Sequence, residues 1–155
     1  MSENEQNEGA TDYNAFNRTL IEEFRTNGGK GTGMFAGAPL LLLTTTGARS
    51  GQPRVVPLVY STDNGHLVVI ASKGGAPTHP DWFYNLRANP EVTVEVGTET
   101  FPARATISEG AERKRLFDQM AAQMPGFAEY QRNTTRQLPV IVLERAGEGP
   151  SWAVR

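Results

Sequence analysis

The chain has 155 residues, of which 38% are hydrophobic and 21% charged, and its formal net charge is −2. This length and balance fit one globular domain and exclude a fibrous or wholly disordered protein. The weak negative charge offers no basic field for nucleic acid, so any anion site must be local. Without cysteine, the chain has no disulfide, thiolate metal site or cysteine nucleophile, and we expect a reducing, cytoplasmic location.

The N-terminal region divides into a polar part and an amphipathic part. Residues 1–11 (MSENEQNEGAT) are polar and acidic, which predicts a disordered tail before a single domain over residues 12–155. Apolar residues then recur at helical spacing in DYNAFNRTLIEEFRTN, and Asn27-Gly28-Gly29 is expected to end that helix. Because acidic residues oppose anionic lipid, we expect this helix to pack on the protein; peripheral association with the inner face of the membrane is the less favoured alternative.

Six apolar or alternating segments predict β-strands. They read PLLLLTTT, RVVPLVYS, HLVVIAS, EVTVEV, TFPARATI and LPVIVLER. Asn64-Gly65 and Gly97-Thr98 predict hairpin turns. Pro57 inside the second segment predicts an edge strand or a bulge, because proline has no N–H to donate.

Further helices are predicted between the strands. Thr78 is a candidate N-cap for the helix that Asn89-Pro90 closes, and Ser108 is a candidate N-cap for the next one. Pro125-Gly126 breaks that helix, and FAEYQRN forms a short further turn. Local antiparallel strands with three to four helices between them predict an α+β fold on a small closed or half-open barrel.

Three familiar site patterns do not fit the sequence. NGGKGTG lacks the preceding strand of a phosphate loop, and Phe24 stands where its first glycine would be. No G-x-S-x-G nucleophile elbow occurs. The two histidines, His66 and His79, have no carboxylates at metal-site spacing, so we interpret them as surface or capping residues and expect no metal.

The turn in LLLTTTGARSGQPRVVPLVY concentrates positive charge and hydrogen-bond donors. Gly47 and Gly51 allow a tight bend, which can aim backbone N–H groups at one point. Arg49, Ser50 and Arg54 would add two guanidinium groups and a hydroxyl, the complement of a phosphate. The turn therefore either binds an anion or carries arginines that only keep an exposed loop soluble.

A second segment, ASKGGAPTHPDWFYNLRANP, follows a predicted strand and opens a helix. Gly74 and Gly75 would allow close approach of a flat ligand, and a helix N-terminus favours negative charge or carbonyl oxygens. Of Trp82, Phe83 and Tyr84, one or two should be core residues, while the third faces elsewhere and could border a planar ring. The alternative is a well-packed helix with a glycine-rich entry.

These motifs together resemble one known family. LLLTTTGARSGQPRVVPL, VVIASKGGAPTHPDWFYNLRANPEVTVEV and FAEYQRNTTRQLPVIVLER closely resemble the deazaflavin-dependent nitroreductase family of actinobacteria, in its order and spacing. The resemblance runs from about Ile21 to Arg145. It implies a split β-barrel related to FMN-binding proteins, and an enzyme that transfers hydride from reduced coenzyme F420 to a quinone, activated enone or nitro compound.

The resemblance also implies which residues bind the coenzyme. The arginine turn would meet the phosphate and the oligoglutamate tail, and the glycine-rich segment would meet the deazaflavin ring. The expected cofactor-binding residues are Ala48, Arg49, Ser50, Arg54, Val55, Val56, Pro57, Ala71, Ser72, Lys73, Gly74, Gly75, Trp82, Phe83 and Asn85.

The expected acceptor pocket lies in the segment that contains Tyr130. By resemblance, Tyr130 would orient or protonate the acceptor, and is the one expected catalytic residue. Met124 and Phe127 stand where nitro-reducing relatives carry further tyrosines, which would leave a more apolar pocket, better suited to quinones or enones. Val59 likewise replaces an aromatic residue of some relatives.

Two other functions remain open at this stage. An FMN-dependent oxidoreductase on the same fold would also use an arginine-lined phosphate site. A non-catalytic protein that carries F420 or a hydrophobic ligand is the second alternative, because hydride transfer requires no catalytic dyad that a sequence would reveal.

Overall fold

The computed structural model describes residues 3–146, except for the side chains of residues 3–14 and 34. The helices are α1 (Glu3–Thr26), α2 (Asp81–Ala88), α3 (Gly110–Gln123) and α4 (Gly126–Arg132). The strands are β1 (Leu40–Thr46), β2 (Pro53–Val59), β3 (Ser61–Asp63), β4 (His66–Ile70), β5 (Glu91–Val96), β6 (Glu99–Ile107) and β7 (Val140–Arg145). Short 3₁₀ turns occur at Gly33–Phe35 and Lys73–Gly75.

The described strands form one seven-stranded antiparallel sheet in the order β2-β1-β5-β6-β7-β4-β3. The sheet curls into a half-barrel, as expected for an α+β split barrel. Six strands were predicted and seven are found, because the second segment breaks at Tyr60. The backbone N–H of Tyr60 donates to the carbonyl of Pro39, after which β3 pairs with β4 instead of β1.

Strand β2 is an edge strand, and Pro57 lies in it opposite Leu42. The edge position predicted from this proline is confirmed. The hairpin predicted at Asn64-Gly65 is also confirmed: Asp63 pairs with His66, and both turn residues have positive φ. Gly97 likewise opens the β5–β6 turn, where Val96 pairs with Glu99.

The concave face of the sheet packs on α2. Alternate residues of the strands point inward, including Leu41 and Leu43 of β1, and meet Trp82, Phe83 and Leu86 of α2 in one core cluster. Residues of α2, and the segment that leads into it, are therefore fixed by the main core.

The convex face is covered at its two ends by different helices. At one end, Leu20 and Phe24 of α1 pack on Leu40 and Leu42 of β1. At the other end, α3 and α4 pack on the outward residues of β4 and β7, a cluster that includes Phe127. Among the described residues, no helix is both long and apolar enough to cross a membrane.

Both predicted N-caps are wrong. The N-cap of α2 is Pro80, not Thr78, because a residue before proline avoids the helical region and His79 therefore cannot start a helix. The N-cap of α3 is Glu109, not Ser108. The hydroxyl of Ser108 instead donates to the carbonyl of Val140 at 2.7 Å, which ties β6 to β7.

Helix α1 differs from its predicted start. The sequence predicts a helix from Asp12, whereas α1 begins at Glu3 and ends at Thr26, next to the predicted stop. The disordered tail over residues 1–11 and the domain boundary after it stay predictions, which limited proteolysis can test. The glycines that follow α1 have a packing role, since a Cβ on Gly29 would lie 1.9 Å from the carbonyl oxygen of Gly97.

Candidate functional site

The turn between β1 and β2, residues 47–52, is called here the arginine turn. It is closed by two backbone bonds, from Gly47 N–H to Gln52 O at 2.8 Å and from Gly51 N–H to Gly47 O at 2.9 Å. The Ser50 hydroxyl accepts from the N–H of Gln52 at 3.1 Å. The turn is therefore ordered by its own backbone, without help from its arginines.

The two arginines associated with this turn are exposed and weakly engaged. Arg54 reaches only Ser50 Oγ at 3.4 Å and the carbonyl of Pro53 at 3.5 Å, both long for a guanidinium. Arg49 has no hydrogen bond or ion pair with any residue that the structure describes. Neither is neutralised by a carboxylate within that part of the chain. Both guanidinium groups can therefore bind an external anion.

Asn85 joins the arginine turn to α2. Its side-chain carbonyl accepts from the N–H of Ala48 at 2.9 Å, and its amide nitrogen donates to Thr45 Oγ1 at 3.1 Å. Asn85 is only 8% exposed, so these bonds form away from water and fix the turn against the helix. The predicted residue Asn85 thus lies at the site, where it positions Ala48.

The second predicted segment forms a tight loop, residues 71–76, called here the glycine loop. Lys73, Gly74 and Gly75 all have positive φ, at 49°, 64° and 84°. The loop is closed by bonds from Gly75 N–H to Ser72 O and from Ala76 N–H to Lys73 O. A Cβ on Gly74 would meet nothing within 4 Å, so the space beside its backbone is open.

Gly75 serves a different purpose from Gly74. A Cβ at this position would lie 2.8 Å from the carbonyl oxygen of Tyr130 and 3.2 Å from its Cα. Only glycine allows α4 to approach the loop this closely. The glycine loop and the Tyr130 segment are thereby brought together.

Arg136, which follows α4, holds the glycine loop in place. It is not among the residues predicted from the sequence. Its guanidinium donates to the carbonyls of Ala71, Ser72 and Ala76 at 3.2, 2.6 and 2.7 Å. A fourth bond, of 2.9 Å, joins Nη1 to Nδ1 of His79. No local pattern indicates this role, because Arg136 lies sixty or more residues from three of its four partners.

His79 is a structural partner of Arg136 and Phe83. Its ring lies 4.6 Å from that of Phe83, centroid to centroid, and accepts from Arg136 through Nδ1. Burial lowers the pKa of His79, and the nearby charges of Arg136 and Arg87 lower it further. The other histidine, His66, lies at the surface 3.6 Å from Glu144. No group of metal-ligating side chains occurs within the described ranges.

The aromatic residues of α2 divide as the helical geometry requires. Trp82 and Phe83 are buried in the main core, while Tyr84 is exposed beside the guanidinium of Arg87, whose Cζ lies 5.1 Å from the ring centroid. Because Trp82 and Phe83 are buried, they can support a ligand only indirectly, from the buried side of α2. Val55 and Val56 also point to opposite faces of β2, toward α1 and toward the main core respectively.

The residues of the predicted acceptor pocket differ in accessibility. Tyr130 is 37% exposed, and its ring meets Phe127 edge-on at 5.8 Å. Phe127 is buried in the cluster between α3 and α4, and Met124 packs against that cluster. Tyr130 is thus the member of the three that presents a large surface, with a hydroxyl that can reach a ligand.

Known proteins similar to this chain identify its family. The model of the F420H(2)-dependent quinone reductase family matches residues 16–145. An F420H(2)-dependent quinone reductase of Mycobacterium tuberculosis is 38% identical over 125 residues, which cover 77% of this chain and 83% of that protein.

Two solved structures are also similar. An F420-H2 dependent reductase, FDR-A, is 44% identical, with a TM-score of 0.64 over 68% of this chain and 94% of that one. A protein described as a domain-swapped dimer is 39% identical, with a TM-score of 0.66 over 87% of this chain and 99% of that one. The matched region contains the arginine turn, the glycine loop and Tyr130. The chain belongs to the F420H(2)-dependent quinone reductase family.

Proposed function

We propose that this protein is an F420H2-dependent reductase whose acceptor is a small electron-poor molecule, with quinones favoured. The observation that carries the proposal is the pair of guanidiniums at Arg49 and Arg54, which no described carboxylate neutralises, on a turn that Asn85 holds to α2. The family of the chain supports F420 over FMN.

The donor set fits the coenzyme's anionic part. A phosphate and glutamate carboxylates require exposed, unpaired cations, and bidentate contact with guanidinium is the strongest form of that recognition. Arg49 and Arg54 would bind these anions, and Ser50 would donate a hydroxyl. Because no internal carboxylate among the described residues must be displaced, binding leaves no buried charge unpaired.

The glycine loop would hold the ring of the coenzyme. The open side of Gly74 allows a flat ring to contact backbone, while Phe83 and Trp82 support the helix from within. When bound, the reduced deazaflavin supplies a hydride. The protein's task is then to orient the acceptor and exclude water.

Tyr130 would position the acceptor and donate the proton that follows the hydride. Its exposed ring and its place against the glycine loop support this role. Tyr130→Phe should lower kcat at least tenfold and change the F420 dissociation constant less than twofold. An unchanged kcat would contradict it. The buried Phe127 and the adjoining Met124 make this side apolar, which favours quinones and enones over nitro compounds.

The deciding experiment is a pair of fluorescence titrations with F420 and with FMN. Micromolar or tighter binding of F420, with little binding of FMN, supports the proposal. F420H2 oxidation is then followed with menadione, cyclohexenone and a nitroimidazole as acceptors. Tight binding with no oxidation by any acceptor would instead favour the coenzyme-carrier alternative.

A cytoplasmic location is part of the proposal and rests on the lack of cysteine in the sequence. The acidic residues of the N-terminal region oppose stable binding to anionic membranes. Vesicle flotation with anionic lipid tests this expectation. Recovery of the protein with the vesicles at physiological salt would contradict it.

A further inference from the structure

We propose that Arg136 is the positioning residue of the coenzyme site, fixing the glycine loop at a set distance from Tyr130. The inference rests on the proposed function in one respect, namely that the glycine loop binds the F420 ring. It concerns a residue that touches neither the coenzyme nor the acceptor, and that acts through the loop backbone.

The first observation is the number of bonds that Arg136 makes to one short segment. A guanidinium carries five N–H donors in a planar fork. Four bonds here run to acceptors within residues 71–79: the carbonyls of Ala71, Ser72 and Ala76, and His79 Nδ1. Because these acceptors span the whole loop, the fork sets the position of both loop ends at once.

The second observation is the absence of a compensating charge. Among the side chains that the structure describes, no carboxylate lies at ion-pair distance from Arg136, which is half-buried. Burial lowers the pKa of its guanidinium, and only Tyr84 acts electrostatically in the opposite direction. A cation placed this way is costly unless its hydrogen bonds are well satisfied, so the backbone carbonyls are its essential partners.

The third observation is where Arg136 stands in the chain. It follows α4, which carries Tyr130 and whose backbone contacts Gly75. The same connection therefore contacts the loop twice, through the Tyr130 backbone and through the guanidinium. This arrangement fixes the loop relative to the side chain that the proposed function assigns to the acceptor.

Arg113 provides a matched control. It is also half-buried, and it donates to the carbonyl of Leu138 at 3.1 and 2.7 Å and to Gln131 Oε1 at 3.0 Å. It holds the backbone before β7 and makes no direct bond to the described glycine loop; its one link to Arg136 in the described contacts is indirect, through Gln131, which donates to the Arg136 carbonyl at 2.8 Å. If both arginines were merely structural, their replacement would have similar consequences for the coenzyme.

The test compares Arg136→Lys with Arg113→Lys. Lysine keeps the charge, but its single ammonium cannot bond four acceptors spread over the loop. In the coenzyme-free protein, amide hydrogen exchange at Gly75 and Ala76 should accelerate at least tenfold in Arg136→Lys, with exchange in β1 and β5 unchanged. In Arg113→Lys these two amides should exchange at the wild-type rate. Wild-type exchange at Gly75 and Ala76 in Arg136→Lys would overturn the inference.

The second readout is coenzyme binding and turnover. Arg136→Lys should raise the F420 dissociation constant about tenfold and lower kcat at saturating F420H2, because both the loop and its distance to Tyr130 change. Arg113→Lys should change the dissociation constant less than twofold, even if it lowers the melting temperature as much as Arg136→Lys does. Equal effects of the two variants on F420 binding, at equal losses of stability, would overturn the inference.

The two readouts separate this inference from the proposed function. Failure of the wild-type protein to bind F420 would reject the proposed function, while hydrogen exchange would still show whether Arg136 orders the loop. Normal F420 binding and turnover in Arg136→Lys, despite faster exchange, would reject the positioning role alone.

Discussion

The arginine turn and the glycine loop use the same side chain in opposite ways. Arg49 and Arg54 are exposed, with only long contacts to the residues around them. Arg136 is half-buried, with four contacts of 2.6–3.2 Å to backbone and imidazole acceptors. An arginine whose donors are already used shapes the protein, whereas one whose donors are free can recognise a ligand.

The arginines of the two segments therefore act on different properties: Arg49 and Arg54 on ligand affinity, and Arg136 on the order of the glycine loop. The arginine turn is closed by its own backbone bonds and by Asn85, so its arginines can be removed without loosening it. The glycine loop also has backbone bonds of its own, but the arginine that contacts it, Arg136, bonds its carbonyls, so its position should change when that side chain changes. The variants below are ordered from the largest expected effect to the smallest.

The double variant Arg49→Ala/Arg54→Ala should weaken F420 binding by at least about 3 kcal/mol, since each charge-assisted bond contributes about 1.5–3 kcal/mol. Unfolding by urea should be unchanged, because neither arginine makes a strong internal bond. Arg104→Ala, which removes another exposed arginine, is the control and should bind normally. A double variant with wild-type affinity would show that the turn has no role in binding.

Gly75→Ala should destabilise the protein by about 2–4 kcal/mol, because the new Cβ meets the Tyr130 backbone at a positive φ. Gly74→Ala has the same strain without a steric clash, and should cost about 1 kcal/mol. Urea denaturation measures both free energies of unfolding. Equal losses would mean that α4 can move away from the loop without cost.

Asn85→Ala should reduce the free energy of unfolding by about 1–3 kcal/mol, since the N–H of Ala48 and the hydroxyl of Thr45 both lose a buried partner. F420 affinity should fall as well, because the arginine turn is no longer held to α2. Asn89→Ala, just after the exposed end of the same helix, loses one bond to the N–H of Glu91. It should reduce the free energy of unfolding by less than half as much.

The smallest effect concerns pH. The folded-state pKa of His79 lies below its ordinary value of 6.5, owing first to burial and then to Arg136 and Arg87. Between the two pKa values the unfolded chain therefore binds more protons than the folded chain. The neutral form of His79 thus contributes stability above pH 6.5, and this contribution is lost as the pH falls through the folded pKa. Among the described ring contacts, the His79 ring lies beside those of Phe83 and Tyr84.

His79→Asn keeps an acceptor for Arg136 but does not titrate. Urea unfolding of both proteins between pH 5 and 8 isolates the contribution of His79 as the difference between their profiles. The wild type should lose stability relative to the variant at the acidic end. Parallel profiles would show that the Arg136–His79 contact tolerates a second positive charge.

Much of the fold could be predicted because its signals are local. Pro57 indicated an edge strand through its missing N–H, and Asn64-Gly65 indicated a hairpin through its tolerance of positive φ. The split barrel came from resemblance and is confirmed by the sheet. Thr78 failed as a cap because Pro80, two residues on, sets where the helix can begin.

The site was less predictable because its supports are long-range. The arginine turn and the glycine loop could be identified within single segments, but the bond from Asn85 to Ala48 spans 37 residues. Arg136 offered no signal at all, because a lone arginine in a polar loop is typical of solvent-exposed positions. Only the folded chain shows that its donors converge on the backbone of residues 71–76.

The edge strand β2 has a consequence for association between molecules. The bonds from Tyr60 to Pro39 and from Gly47 to Gln52 fix which residues of β2 hydrogen-bond to β1. The alternate residues, 53, 55, 57 and 59, therefore direct their backbone nitrogens away from β1. Pro53 and Pro57 occupy two of these outward positions. A strand from a second molecule would find two donors missing along this edge, and sheet extension into aggregates is disfavoured there.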